Sequence, residues 1–407
     1  MPDFVDLPVS FFDPAFNLNP AEQLAPLYED PNILGFRSEG MRFLFRFSDC
    51  REVIFNRDCQ RATGDPQEMA ELEAVYAERY PTRASYFAAS YNQGEPDLKF
   101  KAAVGRFIAE VTEQSSFDGA DAVFARLAGG GLLDNYVEEV SLLPMRIFFD
   151  ACGFRYDDAE ILELHKAGCA FLKSLDNFRD EALIADCEAG LARILPYVEA
   201  QLPGLRADSP IHALVEAGEA SGMTRDMIIA NIGGTFLTAI SNTVGMSSAF
   251  ILRSLLRDAD ALAFLRAHPE LTHNENAICE LLRRDNHVKA LSRQFTVDTT
   301  VGGHDFSAGE VIHLFFPGVN LDPSQWPNPL ALDFNRDFSG QNNVVFGGSV
   351  FTCIGRKLTM SFLDKMVSGF LRYLPNGAYI DDAEVEMDGE WTAERILTRM
   401  PIHLGQA

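Results

Sequence analysis

The chain is short of basic residues. Its 407 positions carry 34 Lys and Arg against 59 Asp and Glu, a formal charge of −25. DNA, RNA and anionic membranes need Lys and Arg to neutralise phosphate, so neither a nucleic-acid nor a membrane partner is expected. Paired cysteines are also lacking. The seven, at positions 50, 59, 152, 169, 187, 279 and 353, are odd in number and scattered without a CxxC pair. That argues against a disulfide framework and against a zinc site, and for reduced, buried thiols in a cytoplasmic protein. The N-terminal MPDFVDLPVSFF has no basic stretch ahead of an apolar one, so it does not read as a secretory leader. No internal repeat, low-complexity tract or Pro/Gly/Ser-rich linker divides the chain. Length alone allows two or three domains; the missing linker favours one.

Charge itself is absent from one long stretch. Met227 to Leu252 contains no Asp, Glu, Lys or Arg. A bilayer span needs about 20 predominantly apolar residues, but this run carries Asn231, Asn242, three Thr and three Ser. It reads instead as a helix roughly 39 Å long through the centre of a globular protein, polar where it lines a ligand cavity.

Elsewhere the texture divides. Residues 1–60 hold short strand-like pieces such as Met41–Phe47 (MRFLFRF). From about Asp97 to Leu282 apolar residues recur at helical spacing, as in FKAAVGRFIAEV and in Leu132–Phe154. After Arg284, strand-like LSRQFTV and EVIHLFF alternate with turns up to Val350. A helix pattern then follows Cys353, and an irregular tail with strand character closes the chain. The expectation is a mainly α single domain over 1–407. Its smaller β-rich lobe takes in roughly 30–60, 288–316 and the tail; its helical lobe spans roughly 97–284 and 353–374.

One cysteine stands apart from the rest. Phe346-Gly-Gly-Ser-Val-Phe-Thr-Cys353-Ile-Gly355 is a glycine-rich loop leading directly into the amphipathic RKLTMSFLDKMVSGFL. A thiol at a helix N-terminus lies near unpaired backbone N–H groups and the positive end of the helix dipole, which favour the thiolate. Gly347, Gly348 and Gly355 let a flat object approach the backbone. Upstream, Glu280-Leu-Leu-Arg283 would in isolation be a common surface ion pair, worth under about 1 kcal/mol.

Together these motifs resemble the cytochrome P-450 family: the Phe346-x6-Cys353-x-Gly355 loop, the ExxR pair Glu280 and Arg283, and the segment PGVNLDPSQWPNPLALDFNR between them. The resemblance covers nearly the whole chain in family order. It implies that fold, with a long central helix over a haem b (iron protoporphyrin IX) whose iron is bound by the Cys353 thiolate. It implies that Phe346, Gly347 and Gly355 shape the loop, that Arg336 completes a buried network with Glu280 and Arg283, and that Arg293 binds a haem propionate. Ala239-Ile-Ser-Asn-Thr243 falls on the oxygen-binding motif, so Ala239 would lie against the haem and Thr243 would place its hydroxyl on the oxygen-binding side.

The departures from that pattern carry chemistry. The family's motif, Ala/Gly-Gly-x-Asp/Glu-Thr, has Ile240 in place of its second glycine and Asn242 in place of its acid. Ile240 either narrows the groove over the iron or packs on the substrate. A carboxylate relays protons by turns as base and acid, whereas an amide can only orient water. In the cysteine loop Ser349 replaces a glycine, and Phe351 stands where a propionate-binding His or Arg is usual. The family's His-x-x-x-Arg aligns with Asp97 to Lys101, leaving propionates mainly to Arg293 and Lys101.

By the same resemblance the substrate pocket draws on Tyr86, Phe87, Tyr91, Phe236, Ile240 and Leu291, an apolar set that suits a hydrophobic small molecule, though each could equally be a core residue. Lys99, Lys101, Arg106, Arg356 and Lys357 map behind the cysteine and suit an acidic ferredoxin-type electron donor with its reductase, unless they are ordinary solvated side chains. The implied function is a monomeric haem-thiolate monooxygenase. The alternatives are peroxide-driven oxygenation, rearrangement or reduction at the same site, or a catalytically silent haem-binding protein.

Overall fold

The computed structural model describes residues 3–62, 66–90, 98–127, 132–134, 136–176, 179–342, 344–349 and 352–404. Helices form most of it, and a six-stranded mixed sheet lies at one side. In spatial order the strands are Asp3–Asp6, Ile33–Ser38, Met41–Leu44, Val311–Phe315, Ala290–Phe295 and Cys59–Arg61. Residues from both ends of the sequence thus meet in one sheet: Leu44 and Leu291 both register with Leu314, and Arg293 lies opposite Ile312 on one side and Arg61 on the other. The edge strand Asp3–Asp6 extends the sheet to residues ahead of the expected strand-rich segment.

Two expected helices are interrupted, each for a local reason. Leu132–Phe154 divides into a short strand, Leu132–Leu133, and helices Tyr136–Ser141 and Leu143–Cys152. Pro144 lies in the first turn of the second helix, where its missing N–H costs nothing, and Leu132–Leu133 pairs with Ile402–His403 of the tail. The uncharged run begins as helix Arg225–Ala230, widens into a π-helical stretch at Asn231–Leu237, and continues as the central helix Thr238–Leu256. A Cβ on Gly233 would come within 2.9 Å of Ile194, and one on Gly234 would collide with Tyr86. The wide turn is therefore built around small residues ahead of Ala239–Thr243.

Beyond Thr243 the central helix is buried on all sides through Leu255, and mostly apolar apart from its serines and Arg253. Ala249, Phe250, Ile251 and Leu252 are fully buried, in a cluster shared with Leu363, Met366, Val367 and Phe370 of helix Arg356–Tyr373. This is the behaviour of a helix through the middle of a large core. Arg253, also fully buried, ends the run on Asp285 (3.0 Å) and Asp382 (3.1 Å). Asp285 in turn holds Arg395 of the tail at 2.7 Å. Burial alone would raise the Asp285 carboxyl, but Arg395 and Arg253 outweigh it and hold it below its usual range. No helix among the described residues is long and apolar enough to cross a membrane.

Gly369, on helix Arg356–Tyr373, is pressed against the ring of fully buried Phe124 so closely that a Cβ would overlap it. Ala at this position gains about 1 kcal/mol of helix propensity and loses about 1–3 kcal/mol to overpacking. Gly369→Ala should therefore lower the urea midpoint of unfolding, and an unchanged or raised midpoint would show that Phe124 yields freely.

Candidate active site around Cys353

The loop 344–355 is closed by its own backbone. Gly347 N–H donates to Val344 O (2.9 Å), Cys353 N–H to Phe346 O (2.9 Å), and the Thr352 hydroxyl to Ser349 O (2.9 Å). Gly347 (φ 73°) and Ser349 (φ 55°) both take left-handed backbone, so the serine retains a conformation suited to the glycine it replaces. Gly348 serves packing: a Cβ there would meet Phe55 at 2.7 Å and Ile54 at 2.8 Å. At Gly355 a Cβ would meet only the Cys353 sulfur, at 3.8 Å. The Arg356 guanidinium lies over the Phe346 ring at 5.7 Å. Phe351 lies outside the described residues.

Among the seven thiols, Cys353 alone is exposed. Its surroundings are still close enough that burial raises the thiol pKa, while the N–H groups of Gly355 and Arg356 and the Arg356 charge act in the opposite direction. At three buried sites burial dominates: Cys50 and Cys152 are pushed well above the usual thiol range, and Cys59 to about 11.

Behind the loop lies a buried ion triad. Glu280 and Arg283 are 0% and 1% exposed. Arg283 grips the carboxylate with both Nε (2.6 Å) and Nη2 (2.8 Å). The same carboxylate accepts from Arg336 Nε (3.1 Å) and from Asp333 N–H (2.9 Å). Arg283 donates further to the carbonyls of Asn320, Pro329 and Ala331, and Arg336 to those of Pro327 and Asn328. The Trp326 ring lies 5.6 and 5.9 Å from the two guanidinium groups. One carboxylate thus pins the helix Glu275–Arg284 to the whole segment that leads to the cysteine loop.

On the central helix, the Thr243 hydroxyl donates to Ala239 O at 2.8 Å. Ala239 is exposed, whereas Ile240 is 8% exposed and packs with Val104, Phe107, Ile108 and Leu358. Asn242 is 3% exposed, and its Nδ2 donates to Glu394 Oε2 at 3.1 Å. About one turn further on, the Ser247 hydroxyl lies 2.9 Å from His287 Nδ1 and 2.9 Å from Thr243 O. Neither Glu394 nor His287 was singled out in the sequence, since both sit in segments without a motif. Burial, followed by the charge of Arg395, pushes His287 down to about 3.

The remaining expected residues are dispersed. Tyr86 is buried with Phe171, Cys187 and Leu191, and half-buried Phe87 stacks on Phe171 at 6.3 Å. Leu291 is half-buried on its strand. Arg293 is 5% exposed, and burial together with the neighbouring charge of Arg61 lowers its pKa to about 10. Lys101 lies on helix Leu98–Gln114, but its side chain, like those of Phe236 and Lys99, is outside the described residues, as are Asp97 and Tyr91 altogether. Arg106 is exposed, Arg356 is paired with Glu275, and Lys357 lies 3.9 Å from Glu113. That face is therefore mixed in charge rather than uniformly basic.

Fold and site together define a protein with an exposed cysteine just ahead of a helix that packs against a long central helix. The family model "Cytochrome P-450" matches residues 211–374. Curated relatives include cytochrome P-450-SU2 of Streptomyces griseolus, 29% identical over 63% of this chain and 61% of its own length. Another is the steroid C26-monooxygenase of Mycolicibacterium smegmatis, 28% identical over 62% of this chain and 63% of its own. The chain thus spans about three fifths of the length of these relatives. Among solved structures, epothilone D-bound cytochrome P-450epoK superposes with a TM-score of 0.80 at 19% identity, covering 98% of this chain and 99% of that one; this is a likeness of fold. The chain is similar to the cytochrome P-450 family over residues 211–374 and shares the fold of its solved members.

The family's cofactor is a haem with a cysteine thiolate ligand, and the residues here fit it. Cys353 offers a sulfur that receives backbone N–H groups and is left uncovered by Gly355. Arg293 offers a buried cation whose charge is disfavoured by burial and by Arg61, which an anionic propionate would relieve. Among the described residues no cluster of His, Cys, Asp and Glu suits a bare metal ion.

Two outcomes follow from this geometry. Glu280→Ala leaves two guanidinium groups buried without their carboxylate and should cost about 3–5 kcal/mol; soluble yield and the denaturation midpoint should both fall sharply. His287, at about 3 in the folded state against about 6.5 unfolded, is protonated first in the unfolded chain. Its neutral form therefore contributes stability above about pH 6.5, and that contribution is lost as pH falls toward 3. His287→Gln should flatten the dependence of unfolding free energy on pH between 6 and 4 by about 1.4 kcal/mol per pH unit.

Proposed function

We propose that the chain is a haem-thiolate monooxygenase acting on a hydrophobic small molecule, with electrons from a ferredoxin-type donor and its reductase. The observation that carries the reading is the closed loop presenting Cys353 at the start of helix Arg356–Tyr373. In this role the Cys353 thiolate would bind the haem iron, its negative charge stabilised by the helix N-terminus. Arg293 and Lys101 would hold the propionates, and Phe346, Gly347 and Gly355 keep the loop in shape.

When bound, the haem supplies the redox chemistry: one oxygen atom of O2 goes to the substrate and the other leaves as water, using two electrons and two protons. Thr243 faces that chemistry with hydroxyl lone pairs, its own proton being engaged by Ala239. Asn242 orients groups around it. Exposed Ala239 and half-buried Leu291 suit an apolar substrate. The donor docks on the face around Arg106, Arg356 and Lys357 of a monomeric, cytoplasmic enzyme.

Replacement of the motif's acid by Asn242 favours a second reading, in which peroxide drives oxygenation or the site rearranges or reduces its substrate. Turnover with hydrogen peroxide alone, compared with turnover on ferredoxin and O2, separates the two. The ligand assignment has a direct test. The reduced, CO-treated protein should show the absorbance of a thiolate-bound haem, and Cys353→Ala should abolish it while Cys279→Ala should not. A thiolate-type spectrum that survives Cys353→Ala would overturn the assignment.

A further inference from the structure

We propose that Glu394 supplies the ionisable carboxylate that the central helix lacks, passing protons toward Thr243 from across the Asn242 side chain. The inference rests on the monooxygenase reading above and names a residue that the motif does not contain.

The helix Thr238–Leu256 has no acidic side chain. At the position next to Thr243 stands Asn242, whose amide cannot release and recover a proton near neutral pH. Asn242 is nevertheless bonded to a carboxylate: its Nδ2 donates to Glu394 Oε2 at 3.1 Å. The acid has moved off the helix and onto the segment packed against it.

That segment is firmly held. Glu394 bridges Val288 in an antiparallel pair. On one side of it, Ala393 O accepts from Lys289 N–H at 2.8 Å; on the other, Arg395 N–H donates to His287 O at 2.6 Å. The Arg395 guanidinium is fixed by Asp285 Oδ1, Asn286 O and Asn17 O, each at 2.7 Å. The same strand pair touches the central helix twice, at Asn242 through Glu394 and at Ser247 through His287, with Thr243 between the two contacts. Glu394 is half-buried, so its carboxyl retains a route to solvent.

The two components divide the work of one acidic residue. Glu394 takes a proton from water, becomes the neutral acid, releases the proton toward the Thr243 side and returns to the carboxylate. Asn242 sets the direction of the carboxyl. A purely structural tie between helix and tail would be made equally well by Gln, which has no charge to desolvate.

That difference gives the experiment, run on the haem-loaded protein with ferredoxin, its reductase, NADPH and O2. Glu394→Gln keeps an acceptor for Asn242 and removes only the ionisable proton. It should retain the thermal midpoint of the wild type and cut NADPH oxidation at least about tenfold. The infrared stretch of CO on the reduced protein, a probe of the field near the oxygen-binding side, should shift in the same variant. Adding Asn242→Asp should restore most of the rate, because the carboxylate is then returned from the other side of the same hydrogen bond. Glu394→Asp should keep a substantial part of the rate, and it remains a test if the Gln variant does not fold. Wild-type oxidation and an unmoved CO stretch in Glu394→Gln would overturn the proposal while leaving the monooxygenase reading intact. A wild-type protein without a thiolate-type CO spectrum would overturn both.

Discussion

The interaction on which the rest of the site depends is the buried carboxylate of Glu280. It is shared by two guanidinium groups and one backbone N–H, and those guanidinium groups in turn bind the carbonyls of Asn320, Pro327, Asn328, Pro329 and Ala331. An irregular segment cannot satisfy its own carbonyls as a helix or sheet does, so it needs donors from elsewhere. Two buried arginines provide them, and one buried glutamate keeps those arginines charged and in place. The charge cost of such a triad is high. Its return is that the chain entering the cysteine loop is fixed without regular secondary structure.

A comparable arrangement fixes the opposite side. The central helix has no charge until Arg253, so it can pass through the core at little desolvation cost. The tail then fastens it with polar contacts at Asn242 and Ser247 and with the ionic group Arg253, Asp285 and Arg395. The tail also pairs with Val288–Lys289 at the entrance to the sheet. Through these contacts one short segment near the C-terminus couples helix and sheet, and the Glu394 carboxyl lies where they meet.

The mainly helical fold, the strand-rich pieces and the cysteine loop were legible in the sequence, because glycine spacing, periodicity and ExxR are local signals. The role of ExxR was not legible from its two residues. At i,i+3 spacing Glu280 and Arg283 read as an exposed pair until the family resemblance supplies burial. Interruptions were missed where tertiary contacts outweighed local pattern. The wide turn at Asn231–Leu237 answers to Tyr86 and Ile194, which are distant in sequence. Tyr86 and Ile240 carry side chains suited to a pocket, yet they pack into hydrophobic clusters, since an apolar residue gives the same sequence signal in either setting. Glu394 left no trace, because its partner lies 152 positions away.

The seven cysteines show how position decides chemistry when composition cannot. Cys50 and Cys152 are enclosed by apolar packing, and burial pushes both thiols far above the range in which a thiolate forms at neutral pH. Cys353 experiences burial as well, yet Gly355, Arg356 and the start of a long helix act against it. A bound cation completes what those groups begin, because a metal centre stabilises the thiolate far more than backbone dipoles do. The glycine-rich loop therefore does not create a reactive thiol by itself. It leaves one sulfur uncovered and partly compensated, so that the energetic gain from ligation falls at Cys353 and not at the other six, five of them buried.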